Sequence, residues 1–294
     1  MSDQAKRNTQ VQRERNYPPG YGVVEPVANY RPWDTDAAFQ EAYELVRDHT
    51  MVDVYRLWTL WYIARQLAGG RQLAGGRQLA GGRQLAGGRQ LAGVPGDILE
   101  VGSWRGGSGV VLARAVARAA AGAGDGTGAG TGDRDGDRDG RPAGGAGASS
   151  VASARTVFLA DTFAGVVKAG SRDTYYTGGE HANTSVDTVQ ELLTRAGVVG
   201  VELLAGIFPD ERGDEIADRR FALCHIDVDV YQSARDTFEW VWPRMTPGGV
   251  VVFDDYGFYG CEGVTSYVNE LASGAGDGPI VVPSLSGQAI VTRT

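Results

Sequence analysis

The sequence predicts an α/β protein built around a doubly wound sheet. Strands and helices alternate along its C-terminal two thirds. A glycine-rich turn, Gly102–Gly109, joins the first strand to its helix, and acidic residues stand where successive strands run out, at Asp161, Asp227, Asp229, Asp254 and Asp255. In such sheets, ligands gather beyond the carboxyl ends of the strands.

The bulk composition narrows the function classes. A chain of 294 residues with 42% hydrophobic content has ample material for a core. A net charge of -8 speaks against a nucleic-acid or anionic-membrane partner. Cys224 and Cys261 are the only cysteines, which fits a reducing cytosol rather than a disulfide framework. The polar N-terminus lacks the apolar core of a signal peptide, and no apolar run reaches the roughly 18 residues of a membrane span. The expectation is a soluble, cytoplasmic protein.

Residues 1–33 carry no helical or strand period and read as a flexible arm, docked by Tyr30, Pro32 and Trp33. A helical extension over 34–96 follows. Asp34, Thr35 and Asp36 cap a helix over 36–48, and a second helix, 51–67, places Val54, Leu57, Trp58, Trp61 and Ala64 on one side, implying burial against the sheet. The hexapeptide RQLAGG then begins at Arg65, Arg71, Arg77 and Arg83, with an incomplete copy at Arg89. Its six-residue period turns its leucines about 240° per copy, and each Gly pair costs roughly 2 kcal/mol of helix relative to Ala. It reads as an expansion without a chemical role. Removing four copies joins a helix end to a Gly-Pro turn and a strand.

A ligand-binding domain over 97–294 follows. Asp97–Val101 is the first strand, and 107–120 is the helix after the glycine turn. Residues 121–150 are Gly, Ala, Asp, Thr and Arg with almost no large apolar residue, so they form a disordered loop. A strand over 156–160, a lid-like loop over 164–184, a helix over 185–196, a strand over 200–204 and a short helix near 210–218 come next. The central strand covers 221–228. Another helix leads to the strand that stops at Asp254, and the last residues form two strands about a turn at Ser286-Gly287.

The glycine loop lacks the regular G-x-G-x-x-G spacing. Gly107 and Asp161 are 54 residues apart, and without the 30 of the disordered stretch the separation is 24, near the spacing at which an acid holds ribose hydroxyls. A second acid at Glu100 suits a cationic sulfonium better than a pyrophosphate. Asp227 and Asp229, two apart in an extended chain, leave on one side. With Asp254 and Asp255 they bring four carboxylates to one rim, an all-oxygen set suited to a hard divalent cation.

Taken together, ILEVGSWRGGSG, LADTFAG, HIDVDVYQS and VVVFDDYG resemble the macrocin O-methyltransferase family. The resemblance implies a class I methyltransferase (Rossmann-like) fold with a C-terminal antiparallel hairpin, S-adenosyl-L-methionine and Mg²⁺ as cofactors, and methylation of a sugar hydroxyl in antibiotic biosynthesis. It implies metal ligands at Asp227, Asp254 and Asp255 and a base at Asp229. Cofactor contacts fall at Glu100, Gly102, Ser103, Gly106, Gly107, Ser108, Asp161 and Thr162. The acceptor pocket is expected at Tyr256, Phe258, Tyr259 and His181, in a homo-oligomer. His225, deep in its strand, reads as a hydrogen-bonded core histidine.

A methyltransferase of catechol-like phenols is the nearest alternative, but such enzymes carry a Lys after the first acidic motif, where Val230 and Tyr231 stand here. An NAD-dependent oxidoreductase leaves four acids unexplained, and a non-catalytic binding protein leaves the acidic motifs without a role.

Overall fold

The computed structural model describes residues 17–24, 27–69, 93–124, 155–274 and 278–294. Six helices are described: α1 Ala37–Val46, α2 Val54–Ala68, α3 Gly107–Gly124, α4 Val186–Ala196, α5 Tyr231–Val241 and α6 Glu262–Ser273. The strands are β1 Asp97–Val101, β2 Val157–Asp161, β3 Val201–Ala205, β4 Phe221–Ile226, β5 Met245–Phe253, β6 Val281–Pro283 and β7 Ala289–Thr292. They form one sheet in the order β3-β2-β1-β4-β5-β7-β6. The first five are parallel, and β7 runs antiparallel to both β5 and β6. This is the expected doubly wound sheet with its closing hairpin, whose turn is bonded from the Gly287 amide to the Ser284 carbonyl at 3.2 Å.

The N-terminal helices start where acidic side chains satisfy free amides. Asp36 accepts from the Phe39 N–H at 3.0 Å, and Asp53 accepts from Tyr55 and Arg56 at 2.8 and 3.1 Å. Burial of Leu57, Leu60, Trp61, Ala64 and Leu67 sets the orientation of α2. It lies chiefly against α3 rather than directly on the sheet, and reaches sheet residues such as Ile98 and Leu223 through a common core. A second core, under α5 and α6, covers the other face with Phe158, Phe221, Phe238, Phe253 and Tyr267.

Three expectations change. The helix α6 has no counterpart in the sequence reading. The helix α3 runs to Gly124, into the stretch read as a loop, while residues 125–154 and repeat residues 70–92 lie outside the described part. In the arm, Trp33 docks edge-on to Tyr55 with ring centroids 5.0 Å apart, but Tyr30 is exposed.

Candidate active site

Two parallel strand tips organise the site. Ile226 of β4 pairs with Phe253 of β5, so the residues that follow, Asp227 and Asp254, emerge side by side. β1 adds Gly102, whose φ of +92° lets the chain turn close against β4. A Cβ at that position would stand 1.7 Å from the Asp227 carbonyl oxygen, so only glycine fits. These tips border a cavity of about 540 Å³, a size suited to a small-molecule ligand.

Of the expected cofactor contacts, Gly102, Ser103, Ser108, Asp161 and Thr162 line this cavity. Asp161 accepts from the Trp104 and Phe163 amides, both at 2.7 Å, which fixes its carboxylate at the tip of β2. Burial nonetheless raises its pKa, against the pull of those two amides.

Glu100, Gly106 and Gly107 do not line the cavity. Glu100 is fully buried inside the sheet and bonds His225 Nδ1 through Oε1 at 2.8 Å, because its strand position points it into the core rather than over the rim. Gly106 and Gly107 serve packing. A side chain on the first would press on Val189 of α4, and one on the second on the His49 carbonyl, whose oxygen accepts the Gly107 N–H at 3.1 Å.

All four rim acids reach the cavity wall, but they are not equivalent. Asp254 is fully buried and already occupied: Oδ1 accepts from Gln288 Nε2 at 2.7 Å and lies 3.3 Å from His225 Nε2, and Oδ2 is ion-paired with Arg56. Burial would raise its pKa, but Arg56 and His225 outweigh that and hold it below the usual carboxylate range. His225 is the buried histidine expected. Burial would lower its pKa, yet Asp254 and Glu100 lift it to about 10, so it is a cation between two acids.

Asp227, Asp229 and Asp255 carry the surplus negative charge. Burial, with Asp254 and Asp255 nearby, raises Asp227 well above its ordinary value. Burial and the neighbouring Asp229 push Asp255 up to about 8. Asp229 rises to about 6, by burial first, against a hydrogen bond from Tyr176. The expected trio of metal ligands divides between two clusters. His225, Asp227 and Asp254 bring ligand atoms within 4.8 Å of one another, as do Asp229, Asp255 and Cys261. Nor do Asp227 and Asp229 share a side by strand alternation. β4 ends at Ile226, and Asp229 has a left-handed backbone with φ of +65°, held by its N–H donating to Asp255 Oδ2 at 3.1 Å.

The lid-like loop supplies Tyr176 and His181, whose Oη and Nε2 are 3.3 Å apart, and both line the cavity. Tyr259 lines it too, with Tyr17 and Tyr21 of the arm edge-on to its ring at centroid distances of 6.0 and 5.4 Å. Tyr256 does not. Its hydroxyl turns away to Asn269 Oδ1 at 3.0 Å, and Phe258 takes the place on the wall. The sequence reading misses Arg56, Trp104 and Cys261. A signal for Arg56 is present: it is a cation set within the apolar stripe of α2.

Residues 145–272 match the sequence profile of the family described as Macrocin-O-methyltransferase (TylF). The match covers less than half of the chain and marks a resemblance to that family. Among its relatives, a tetracenomycin rhamnosyl 4'-O-methyltransferase of Streptomyces olivaceus is 32% identical over 179 residues, covering 58% of this chain and 56% of the relative. Mycinamicin III 3''-O-methyltransferase of Micromonospora griseorubida is 30% identical over 187 residues, covering 60% of this chain and 61% of the relative. The chain therefore spans little more than half the length of those two relatives. The solved structure of the O-methyltransferase NovP superposes with a TM-score of 0.56 at 22% identity, covering 84% of this chain and 82% of NovP, in keeping with the expected Rossmann-like fold. No described helix is long and apolar enough to cross a membrane.

Proposed function

We propose that the chain is an S-adenosylmethionine-dependent O-methyltransferase that acts on a sugar hydroxyl of a glycosylated natural product with the help of Mg²⁺. The observation that carries this reading is the meeting, around one cavity, of a ribose-type acid, Asp161, with the four carboxylates at the β4 and β5 tips. The relative from Streptomyces olivaceus is named for O-methylation of a rhamnosyl-bearing tetracenomycin, which supports the acceptor class.

The acids fit a divalent cation. Counted with Glu100, the tips hold five carboxylates against two buried cations, Arg56 and His225, and burial first, then the neighbouring carboxylates, raise the pKa values of Asp227 and Asp255. Asp227 and Asp255 would hold the ion, with Asp254 as the third ligand implied by the resemblance. When bound, Mg²⁺ supplies charge that lowers the pKa of a hydroxyl and fixes its position, while S-adenosylmethionine brings the methyl group as a sulfonium.

The protein's own groups do the remaining work. Asp229 takes the hydroxyl proton on its carboxylate. Its pKa near 6 makes it a usable base at neutral pH. Asp255 fixes the Asp229 backbone, and Tyr176 hydrogen-bonds its side chain. Tyr259, Phe258 and the lid residues Tyr176 and His181 form the wall that excludes water and receives the acceptor, and the aromatic faces suit the apolar face of a sugar.

The test is transfer of labelled methyl from S-adenosylmethionine to a panel of glycosylated macrolides, aminocoumarins, polyketides and nucleotide sugars, with and without EDTA. Transfer to a sugar-bearing acceptor, abolished by EDTA and restored by Mg²⁺, is expected. Transfer undiminished in EDTA would remove the cation from the reading, and transfer only to simple catechols would remove the sugar.

A further inference from the structure

Arg56 is the third residue of α2, yet its side chain reaches the site from 198 residues away in sequence. The guanidinium is held on every edge. Nε bonds Asp53 Oδ2 at 2.9 Å, Nη2 bonds the Met51 carbonyl at 3.3 Å, and Nη1 is ion-paired with Asp254 Oδ2. Its face lies over the Phe258 ring, 4.7 Å from the centroid. Arg56 is 8% exposed, and among the described residues no other Lys or Arg lines the cavity.

This placement bears on the cation reading, on which the following inference rests. The other oxygen of Asp254 already faces His225 and Gln288. An ion that uses Asp254 as a ligand must therefore take the oxygen that Arg56 holds, and two positive groups in contact with one oxygen repel each other. By contrast, the Asp227 carboxylate accepts no hydrogen bond from a side chain among the described residues, so the acids on the cavity side of Arg56 remain without a cation.

We propose that Arg56 is a displaceable internal cation. It occupies Asp254 while no metal is bound, competes with a divalent ion for that carboxylate, and leaves it when the ion arrives. Metal affinity in this chain is then set by a residue of the N-terminal helix that is not itself a ligand. Removal of the guanidinium frees Asp254 and also deletes a positive charge beside the ion, so both effects act in the same direction.

The experiment is an electron paramagnetic resonance titration of the full chain with Mn²⁺, without methyl donor or acceptor. The chains compared are the unmodified protein, Arg56→Met, which keeps an apolar stem against Phe258, and Arg56→Lys. The Met variant should bind Mn²⁺ about tenfold tighter or more, from loss of a like charge at close range, and the Lys variant should fall between the two. Equal or weaker binding by the Met variant overturns the proposal but leaves the cation reading standing. No Mn²⁺ binding by any of the three overturns both. If the Met variant does not fold by circular dichroism, crystals of the unmodified chain soaked in Mn²⁺ decide the matter. Arg56 away from Asp254 supports the proposal, and an ion bound at Asp227 with the Arg56–Asp254 pair intact overturns it.

Discussion

The Asp229 N–H donates to Asp255 Oδ2 at 3.1 Å, so the residue assigned the proton is held in a left-handed backbone by an acid from the neighbouring strand. A non-glycine residue in that region costs on the order of 1–3 kcal/mol unless its surroundings determine it, and such strain collects at functional sites. Asp229→Asn keeps the shape and removes the base. Turnover should fall by about 10²- to 10⁴-fold, with S-adenosylhomocysteine affinity by calorimetry unchanged. Turnover within a factor of two of the parent would dismiss Asp229 as the base.

The surplus acids give a pH dependence with a defined sign. Asp255 sits near 8 in the folded chain, far above the roughly 3.9 of an unfolded aspartate. The folded state therefore keeps a proton that the unfolded state releases, and the stability this contributes is complete below about pH 4 and lost as pH rises towards 8. Thermal melts in EDTA should show this contribution declining across that window. Added Mg²⁺ should raise Tm more at pH 8 than at pH 5, because protons no longer compete for the carboxylates. An Mg²⁺ effect that shrinks with rising pH would contradict the assignment of these acids to the ion.

Gly102 is a steric test of how closely β1 approaches β4. Gly102→Ala combines a strained φ of +92° with a Cβ 1.7 Å from the Asp227 carbonyl oxygen. Either the turn or the β4 tip must move, so Tm and S-adenosylhomocysteine binding should both fall. Ala at Gly197, also at positive φ but with open space around it, should lower Tm modestly and leave binding intact.

The repeat can be tested by excision. A Cβ at Gly93 would lie 2.3 Å from the Leu67 carbonyl oxygen, so the chain returns from the repeat beside the place it left α2. Arg155 secures the junction with a 2.8 Å hydrogen bond to the same Leu67 carbonyl. Deletion of residues 69–92, four copies long, joins Ala68 to Gly93 and should leave Tm and methyl transfer close to those of the parent. A folded but inactive deletion variant would show that the repeat has a chemical role.

What the sequence makes legible is local. The alternation of strands and helices, the glycine turn and the acids ending β4 and β5 each occupy a short stretch whose pattern states its own structure. The α6 helix is legible in the same way, because Val264, Tyr267, Val268 and Leu271 follow helical spacing, but the glycines around it mask the signal. Roles that depend on direction or on distant partners are harder. A strand-end position does not say that Glu100 turns inward to His225, and the DDYGFY stretch does not say that Phe258 rather than Tyr256 faces the cavity. Arg56 meets Asp254, and Tyr176 meets Asp229, only after the whole sheet has formed.

The inward turn of Glu100 has a further consequence. Glu100 of β1 pairs in register with His225 of β4, whose ring reaches Asp254 at the end of β5, and Asp254 accepts from Gln288 at the start of β7. A single-residue slip of any of these strands would send one member of this buried row to the opposite face and strand the others without partners. The row therefore acts as an alignment key for the middle of the sheet: whatever other pairings the apolar side chains would tolerate, only one lets all four polar groups meet.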